Sequence, residues 1–286
     1  MTKPVFGWVG GKQRLVSRYI PVLGLVPCRR YIEPFCGSAG VYIRLMETRT
    51  ILPTEGVLLA DTDTELCNVH AAVRDYPEEV IRVVEYHRER HCRDHFLSVR
   101  DAYVCREVWT EADTDPERAG DFIYIVHCSY GKNPHRRENG TLRGGYGGDI
   151  MKRGMVPPDR IRRISEIMKP ATIMCASFEE TMQVAGDGDF VYADPPYLFP
   201  WKQRFSDGYR IKATRFQSLT WRLLSELDAL VERGGRFAMS NMEDPRLIRW
   251  ALLRGYDIHS FRITRTIRRG SHGDKEAKEI LVCQLR

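Results

Sequence analysis

The chain has 286 residues, 43% hydrophobic and 29% charged, enough for one large domain or for a core domain that carries a smaller inserted one. No apolar run approaches the ~20 residues that span a bilayer, and Met1-Thr2-Lys3-Pro4 leads into no signal-like segment, so a cytoplasmic protein without a membrane partner is expected. A net charge of +6 is modest in sum and excludes little by itself; its distribution, taken up below, says more.

Near the start, Phe6-Gly7-Trp8-Val9-Gly10-Gly11-Lys12 is a glycine-rich turn followed by the helical pattern of Leu15, Tyr19 and Ile20. Its backbone can approach a ligand closely and Lys12 can reach an anionic group, although the spacing is not that of a triphosphate loop. Tyr31-Ile32-Glu33-Pro34-Phe35-Cys36-Gly37-Ser38-Ala39-Gly40 then reads as strand, acidic residue and glycine turn, with a helix from Val41. This is the first unit of a doubly wound sheet built around a nucleotide-like ligand. Val57 to Ala60 forms a second strand ending in Asp61, placed to accept hydrogen bonds from ribose hydroxyls.

Between Asn68 and Met155 the sequence becomes helical and charged, over Asp75 to His95, Phe96 to Val108 and Phe122 to Cys128, before a glycine- and arginine-rich stretch from Gly131 to Gly148. His87, His91 and His95 fall at i, i+4, i+8 beside Cys92. The charged neighbours Arg88, Glu89, Arg90, Arg93 and Asp94 make this a solvated helix face, and no metal site is expected. Lys132, Arg136, Arg137 and Arg143 concentrate positive charge in this region, and Arg265 and Arg268 form a second basic group near the end of the chain. Basic clusters interleaved with glycine suit a polyphosphate partner, so nucleic acid leads, with this insertion docking on a duplex; a surface loop without a role is the alternative. The eight cysteines lack any Cys-x-x-Cys pair and are expected to be reduced, packed thiols.

The core pattern resumes with a helix at Arg160 to Met168, a strand at Thr172 to Cys175 and Phe178-Glu179 at its end. The apolar run Phe190 to Ala193 then meets Asp194-Pro195-Pro196-Tyr197, where the prolines, which cannot donate to a sheet ladder, must stop the strand. A carboxylate, a rigid turn and a ring thus gather at a strand's C-terminal end, the edge of an open α/β sheet where ligands bind. Asp194 and a carbonyl can accept from an amino group while the ring stacks on the planar molecule bearing it, which points to a nucleobase amine. A helix over Leu219 to Glu232 capped by Gly234-Gly235, a strand from Arg236 into Ser240-Asn241, and a closing hairpin of His259 to Ile267 and Glu279 to Leu285 complete the pattern.

These motifs, in this order over nearly the whole chain, resemble the DNA adenine methylases of the Dam type, which move a methyl group from S-adenosylmethionine to adenine in DNA. The resemblance implies an α/β fold: a doubly wound, mostly parallel Rossmann-like methyltransferase sheet with a terminal antiparallel hairpin, residues 1–67 and 156–286 catalytic, and residues 68–155 an inserted target-recognition domain. It implies that Trp8, Lys12, Phe35, Gly37, Asp61, Phe178 and Asp194 line the S-adenosylmethionine site and that Asp194, Pro195, Pro196 and Tyr197 hold the target base. Double-stranded DNA is the expected partner, with a cognate restriction nuclease compatible with the chemistry but not required by it. Two departures stand out: Gly7 replaces the lysine that usually precedes the tryptophan of the first motif, and Arg143-Gly144-Gly145-Tyr146-Gly147-Gly148-Asp149 replaces the family's Phe-Asn-x-Pro segment. The GATC target of better known members is therefore not assumed. The same chemistry leaves cytosine N4 or RNA adenine as alternative substrates, and a catalytically silent DNA-binding relative as an alternative of another class.

Overall fold

The computed structural model describes the chain apart from residues 1, 9, 133–134, 137–140, 149–153, 197–212 and 266–274, and apart from the side chains of 13–14, 132, 135–136, 213–218, 264–265 and 275–277. Its centre is a seven-stranded sheet. Strands β1 (Val26–Glu33), β2 (Ile51–Asp61), β5 (Ala171–Cys175), β6 (Phe190–Ala193) and β7 (Arg236–Met242) run parallel, and β8 (Asp257–Arg265) and β9 (Lys275–Gln284) form a terminal hairpin in which β9 runs antiparallel to β7. The order is β5-β2-β1-β6-β7-β9-β8. From β1 the chain winds outward to β2 and β5, then returns to place β6 on the other flank of β1, so the order reverses between β1 and β6. Crossover helices leave a crevice above the carboxyl ends of the strands at such a reversal.

Strand alternation sorts the core into two layers. Tyr31, Tyr192, Ala238, Leu281 and Cys283 face one side, where they meet helices α1 (Gln13–Leu23), α2 (Gly40–Glu47), α3 (Thr64–Asp75) and α7 (Pro158–Met168). Ile32, Val191, Ala193, Phe237, Met239, Ile280 and Val282 face the other, against α8 (Phe178–Gln183), α9 (Ala213–Glu232) and α10 (Pro245–Arg254). All four residues of β6 are buried, as both faces of a central parallel strand require. At the end of α9, Gly235 closes on Leu230, where an added Cβ would lie 2.3 Å from a leucine methyl; no larger residue fits there.

The expected boundary at residue 68 falls inside α3, which packs on β2 and β5. Helices α4 (Pro77–Arg90), α5 (Arg93–Ala102) and α6 (Pro116–Cys128) extend that layer outward and bury Val80, Val84, Phe96, Phe122 and Ile125 in the same cluster as the sheet face. Gly120 of α6 sits against Val83 of α4, where an added Cβ would come within 2.5 Å of the valine Cβ, so the two helices are in close contact there.

The structure corrects the continuous helix expected over Asp75 to His95. It breaks at His91 and Cys92, both extended, and the Cys92 thiol accepts from the His95 amide to start α5. His87 and His91 are buried rather than solvated. His87 stacks on Tyr124 at 4.5 Å and places Nε2 2.7 Å from Asp121 Oδ1, and His91 Nδ1 lies 3.0 Å from the Tyr124 hydroxyl. The charged neighbours cover only the outward face of an amphipathic helix, and the imidazoles fill the inward one. The loop ends are likewise bridged to the fold, with Tyr130 donating to the Gly145 carbonyl at 2.6 Å, Gly147 to Cys128 at 2.8 Å, and β3 (His135–Arg136) pairing with β4 (Leu142–Arg143). The cysteines are free thiols, all buried or half-buried except Cys92. Among the described residues no helix is long and apolar enough to cross a membrane.

Candidate functional site

Asp194 follows β6 at the reversal point. Because Ala193 pairs with Met239, Asp194 lies beside Ser240, whose hydroxyl donates to Asp194 Oδ1 at 2.9 Å. Ser240 is oriented in turn by the Tyr192 hydroxyl at 2.9 Å. Lys12, ahead of α1, sends its ammonium into the same corner, 2.9 Å from Asp194 Oδ1 and 3.0 Å from Glu279 Oε1 of β9. The Tyr19 hydroxyl of α1 donates to the same Glu279 oxygen at 3.1 Å. Lys12 is 5% exposed and Glu279 1%, so the group is sealed from beneath while the Asp194 side chain keeps an open side. Burial raises the Glu279 carboxyl above its ordinary range and Lys12 opposes that rise.

A second buried carboxylate closes the floor. Glu33, last residue of β1, accepts from the Tyr31 hydroxyl and is 2% exposed. Burial pushes it up to about 8, with nearby Asp194 adding and the Tyr31 hydrogen bond opposing. At neutral pH it is therefore chiefly a neutral acid, and it adds little negative charge beneath Asp194.

The glycine turn lies across β1 and β2 from this corner. Asp61 accepts from the Gly37 amide and the Asp63 amide, each at 3.0 Å, so it braces the turn. Burial, helped by Asp63, raises it to about 6. His70 of α3 donates Nε2–H to the Gly37 carbonyl at 2.7 Å, and burial lowers its titration to about 4, which keeps it neutral. Gly37 has φ +49°, and its Cα faces Trp8, whose ring carbon would lie 3.4 Å from an added Cβ. Trp8 packs on Phe6 at 5.9 Å and Phe122 at 6.1 Å, while Phe35 packs on the buried Phe178 at 5.5 Å.

The structure thus brings Lys12 to Asp194, and Trp8 and Asp61 to Gly37. Pro195 is buried and Pro196 half-buried behind Asp194. Arg143 is exposed on β4, and the preceding Tyr130 ring is 66% exposed beside Gly145. Tyr197, Arg137 and Arg268 lie outside the described residues, as do the side chains of Lys132, Arg136 and Arg265. Sequence reasoning missed Glu279, Tyr192, Tyr19 and His70. A charged residue heading the buried run Ile280 to Cys283 was the one signal available for Glu279.

A mostly parallel sheet with a braced glycine turn after its first strand, an acidic tip on its second and a carboxylate beside the reversal defines a doubly wound, Rossmann-like α/β fold with its site at the reversal. The chain belongs to the D12 class N6 adenine-specific DNA methyltransferase family, whose model matches residues 8–267. It is 24% identical to the Type II methyltransferase M1.LlaDCHI of Lactococcus lactis subsp. cremoris, over 98% of this chain and 94% of the relative. It is 27% identical to the Retron Ec67 DNA adenine methylase of Escherichia coli, over 97% and 90%, and 24% identical to a DNA adenine methylase of Vibrio cholerae serotype O1, over 96% and 93%. Family and fold imply a DNA substrate and S-adenosylmethionine as methyl donor, and the residues at the turn are compatible with such a donor: the Asp61 carboxylate, the Gly37 amide and the Trp8 ring come together there.

Proposed function

We propose that the chain methylates the N6 amino group of an adenine flipped out of duplex DNA, with Asp194 as the residue that holds the amine. The observation that carries this reading is the placement of Asp194 at the reversal between β1 and β6, fixed through Oδ1 by Lys12 and Ser240. An amine inside a stacked duplex is out of reach, so the base is extruded at a cost of a few kcal/mol, which stacking on the Tyr197 ring offsets in part. Asp194 and the Pro195 carbonyl accept the two amine hydrogens, and Pro196 stiffens the bend. Those bonds favour a pyramidal nitrogen whose lone pair is aimed at the methyl. When bound, S-adenosylmethionine supplies a methyl on a sulfonium that leaves as a neutral thioether, so the transfer requires neither a metal nor a covalent enzyme intermediate. Trp8, Lys12, Phe35, Gly37, Asp61 and Phe178 line the donor's site.

The segment from the end of α3 to residue 155 carries target recognition, its helical part sharing the catalytic core and its basic loop, with Lys132, Arg136, Arg137 and Arg143, meeting phosphates together with Arg265 and Arg268. One relative bears a Type II methyltransferase name, so the reading extends to a cognate restriction nuclease and to cytoplasmic DNA as the place of action; the chemistry requires neither. The test is mass spectrometry of nucleosides from DNA and RNA treated with the wild type and with Asp194→Asn. N6-methyladenine in DNA that disappears in the folded variant supports the reading. N4-methylcytosine, methylated RNA, or an unaffected variant would refute it.

A further inference from the structure

The turn between β1 and α2 is held in a bend that its own residues do not favour. Gly37 sits at φ +49°, which glycine tolerates, but Ala39 sits at φ +55°, where a β-carbon crowds the backbone, and Ala39 caps α2 without a side-chain hydrogen bond. Such a bend persists only where its surroundings over-determine it. Here the Ala39 amide donates to the Cys36 carbonyl at 2.7 Å, the Gly37 amide donates to Asp61 at 3.0 Å, and His70 Nε2 lies 2.7 Å from the Gly37 carbonyl. A carbonyl only accepts, so Nε2 carries the hydrogen and the tautomer of His70 is fixed. The two peptide planes that flank the Gly37 Cα are thus each pinned, one by Asp61 of β2 and the other by His70 of α3, and pinning both planes sets both φ and ψ. The His70 ring is itself firmly seated: it is 1% exposed, its face stacks on Phe6 at 6.3 Å, and Phe6 packs edge-on against Trp8 at 5.9 Å.

We propose that His70 is a positioning residue for the methyl donor: by holding the carbonyl-side plane at Gly37 it keeps the turn, before S-adenosylmethionine arrives, in the bend that receives it. This rests on the placement of the donor at the Gly37 turn given above. Asp61 alone does not suffice, because pinning the amide-side plane leaves ψ of Gly37 free, and glycine has the widest choice of other conformations. The crowded backbone at Ala39 then favours release into those alternatives. A donor that binds only the bent turn must select it, and its apparent affinity falls in proportion to the fraction of molecules still bent. His70 acts through the turn and touches the donor nowhere in this account, so its loss shows in donor affinity while the duplex, bound elsewhere on the chain, is held as before.

The test compares His70→Leu, which fills the space against Phe6 and donates nothing, with His70→Gln, which keeps an N–H donor at the end of its side chain. Calorimetry gives the affinity of each for S-adenosylmethionine and for its thioether product, duplex affinity is measured without donor, and hydrogen exchange is followed at the Gly37 and Ala39 amides of the free protein. For His70→Leu the expected result is donor and thioether both weakened by about ten- to a hundredfold, duplex affinity changed by less than about twofold, and turn amides exchanging at least about tenfold faster. His70→Gln should return to within about threefold of the wild type. Unchanged donor affinity in His70→Leu, equal weakening in the two variants, or a matching loss of duplex affinity with a lowered melting temperature would overturn the proposal and leave His70 a packing residue. If His70→Leu does not fold, the wild type decides: the Nε2 proton of His70, followed by NMR in histidine-labelled protein, should exchange about tenfold more slowly with the donor bound, and a rate indifferent to the donor would overturn the proposal. Failure of the underlying placement has a different signature, since Asp61→Ala would then also bind the donor at full strength; loss of binding in Asp61→Ala but not in His70→Leu refutes the role of His70 alone.

Discussion

Glu33→Gln isolates the buried acid beneath the site. In the native chain Glu33 titrates at about 8 against an ordinary 4.5, because burial removes the water that would stabilise its anion. A carboxyl whose folded titration lies above its unfolded one is best accommodated when protonated, so its stabilising contribution is complete below about 4.5 and is lost as pH rises through about 8. At about 1.4 kcal/mol per pH unit across that interval, the loss reaches on the order of 5 kcal/mol by alkaline pH. Glutamine matches the protonated acid in shape, can accept from Tyr31 and does not titrate. Urea unfolding of both proteins from pH 4 to 9 therefore gives a difference curve in which Glu33 is the single varying group, with Asp61 and His70 cancelling. The wild type should lose stability relative to the variant through the neutral range, and the variant should outlast it above about pH 8. Parallel curves would refute the claim that Glu33 is held neutral beneath Asp194.

Asp61→Ala strips the acceptor from the Gly37 and Asp63 amides, each bonded at 3.0 Å, and should weaken S-adenosylmethionine binding by tenfold or more, at about 1–3 kcal/mol per abandoned amide, as read by calorimetry. Gly120→Ala forces a methyl to within 2.5 Å of the Val83 Cβ, so the urea midpoint should fall with an unchanged slope and a loss of about 1–3 kcal/mol; adding Val83→Ala, which keeps that Cβ and removes only the Cγ1 at 2.6 Å, should recover little of it. Arg143→Ala, at an exposed position on β4, should weaken DNA binding evenly across sequences and reduce the salt slope by about one; an unchanged slope would take Arg143 out of the interface.

What the sequence made legible was local. Proline after an apolar run, glycine after an acidic strand end and acid at a second strand tip are signals spanning a few residues, and they located β6, the turn at Gly37 and Asp61. The break at His91–Cys92 was hidden because a short extended kink between two helices preserves the hydrophobic period on either side. Burial of His87 and His91 was hidden because histidine carries no fixed preference and the charges around it described only the outer face. The Lys12–Glu279 pair joins opposite ends of the chain, and no local pattern encodes a contact that sheet order alone creates.

That pairing gives the reversed edge of the sheet a reason. In an antiparallel partner of β7 it is the beginning of the strand that arrives at the ligand-binding edge, and the register sets Glu279 opposite Met242. The residues that follow, Ile280 to Cys283, are all buried and pair with Asn241, Ser240, Met239 and Ala238 of β7, so they anchor the acid that precedes them. A parallel strand in the same place would present its end instead, where the chain runs out to Gln284 and the surface. Antiparallel addition therefore lets β9 put an acid at the edge of the site and hold it with apolar burial behind, at about 25 cal/mol per Å² of apolar surface removed from water. The site built on the parallel strands supplies Asp194; the hairpin supplies a second acid that meets the same Lys12 ammonium.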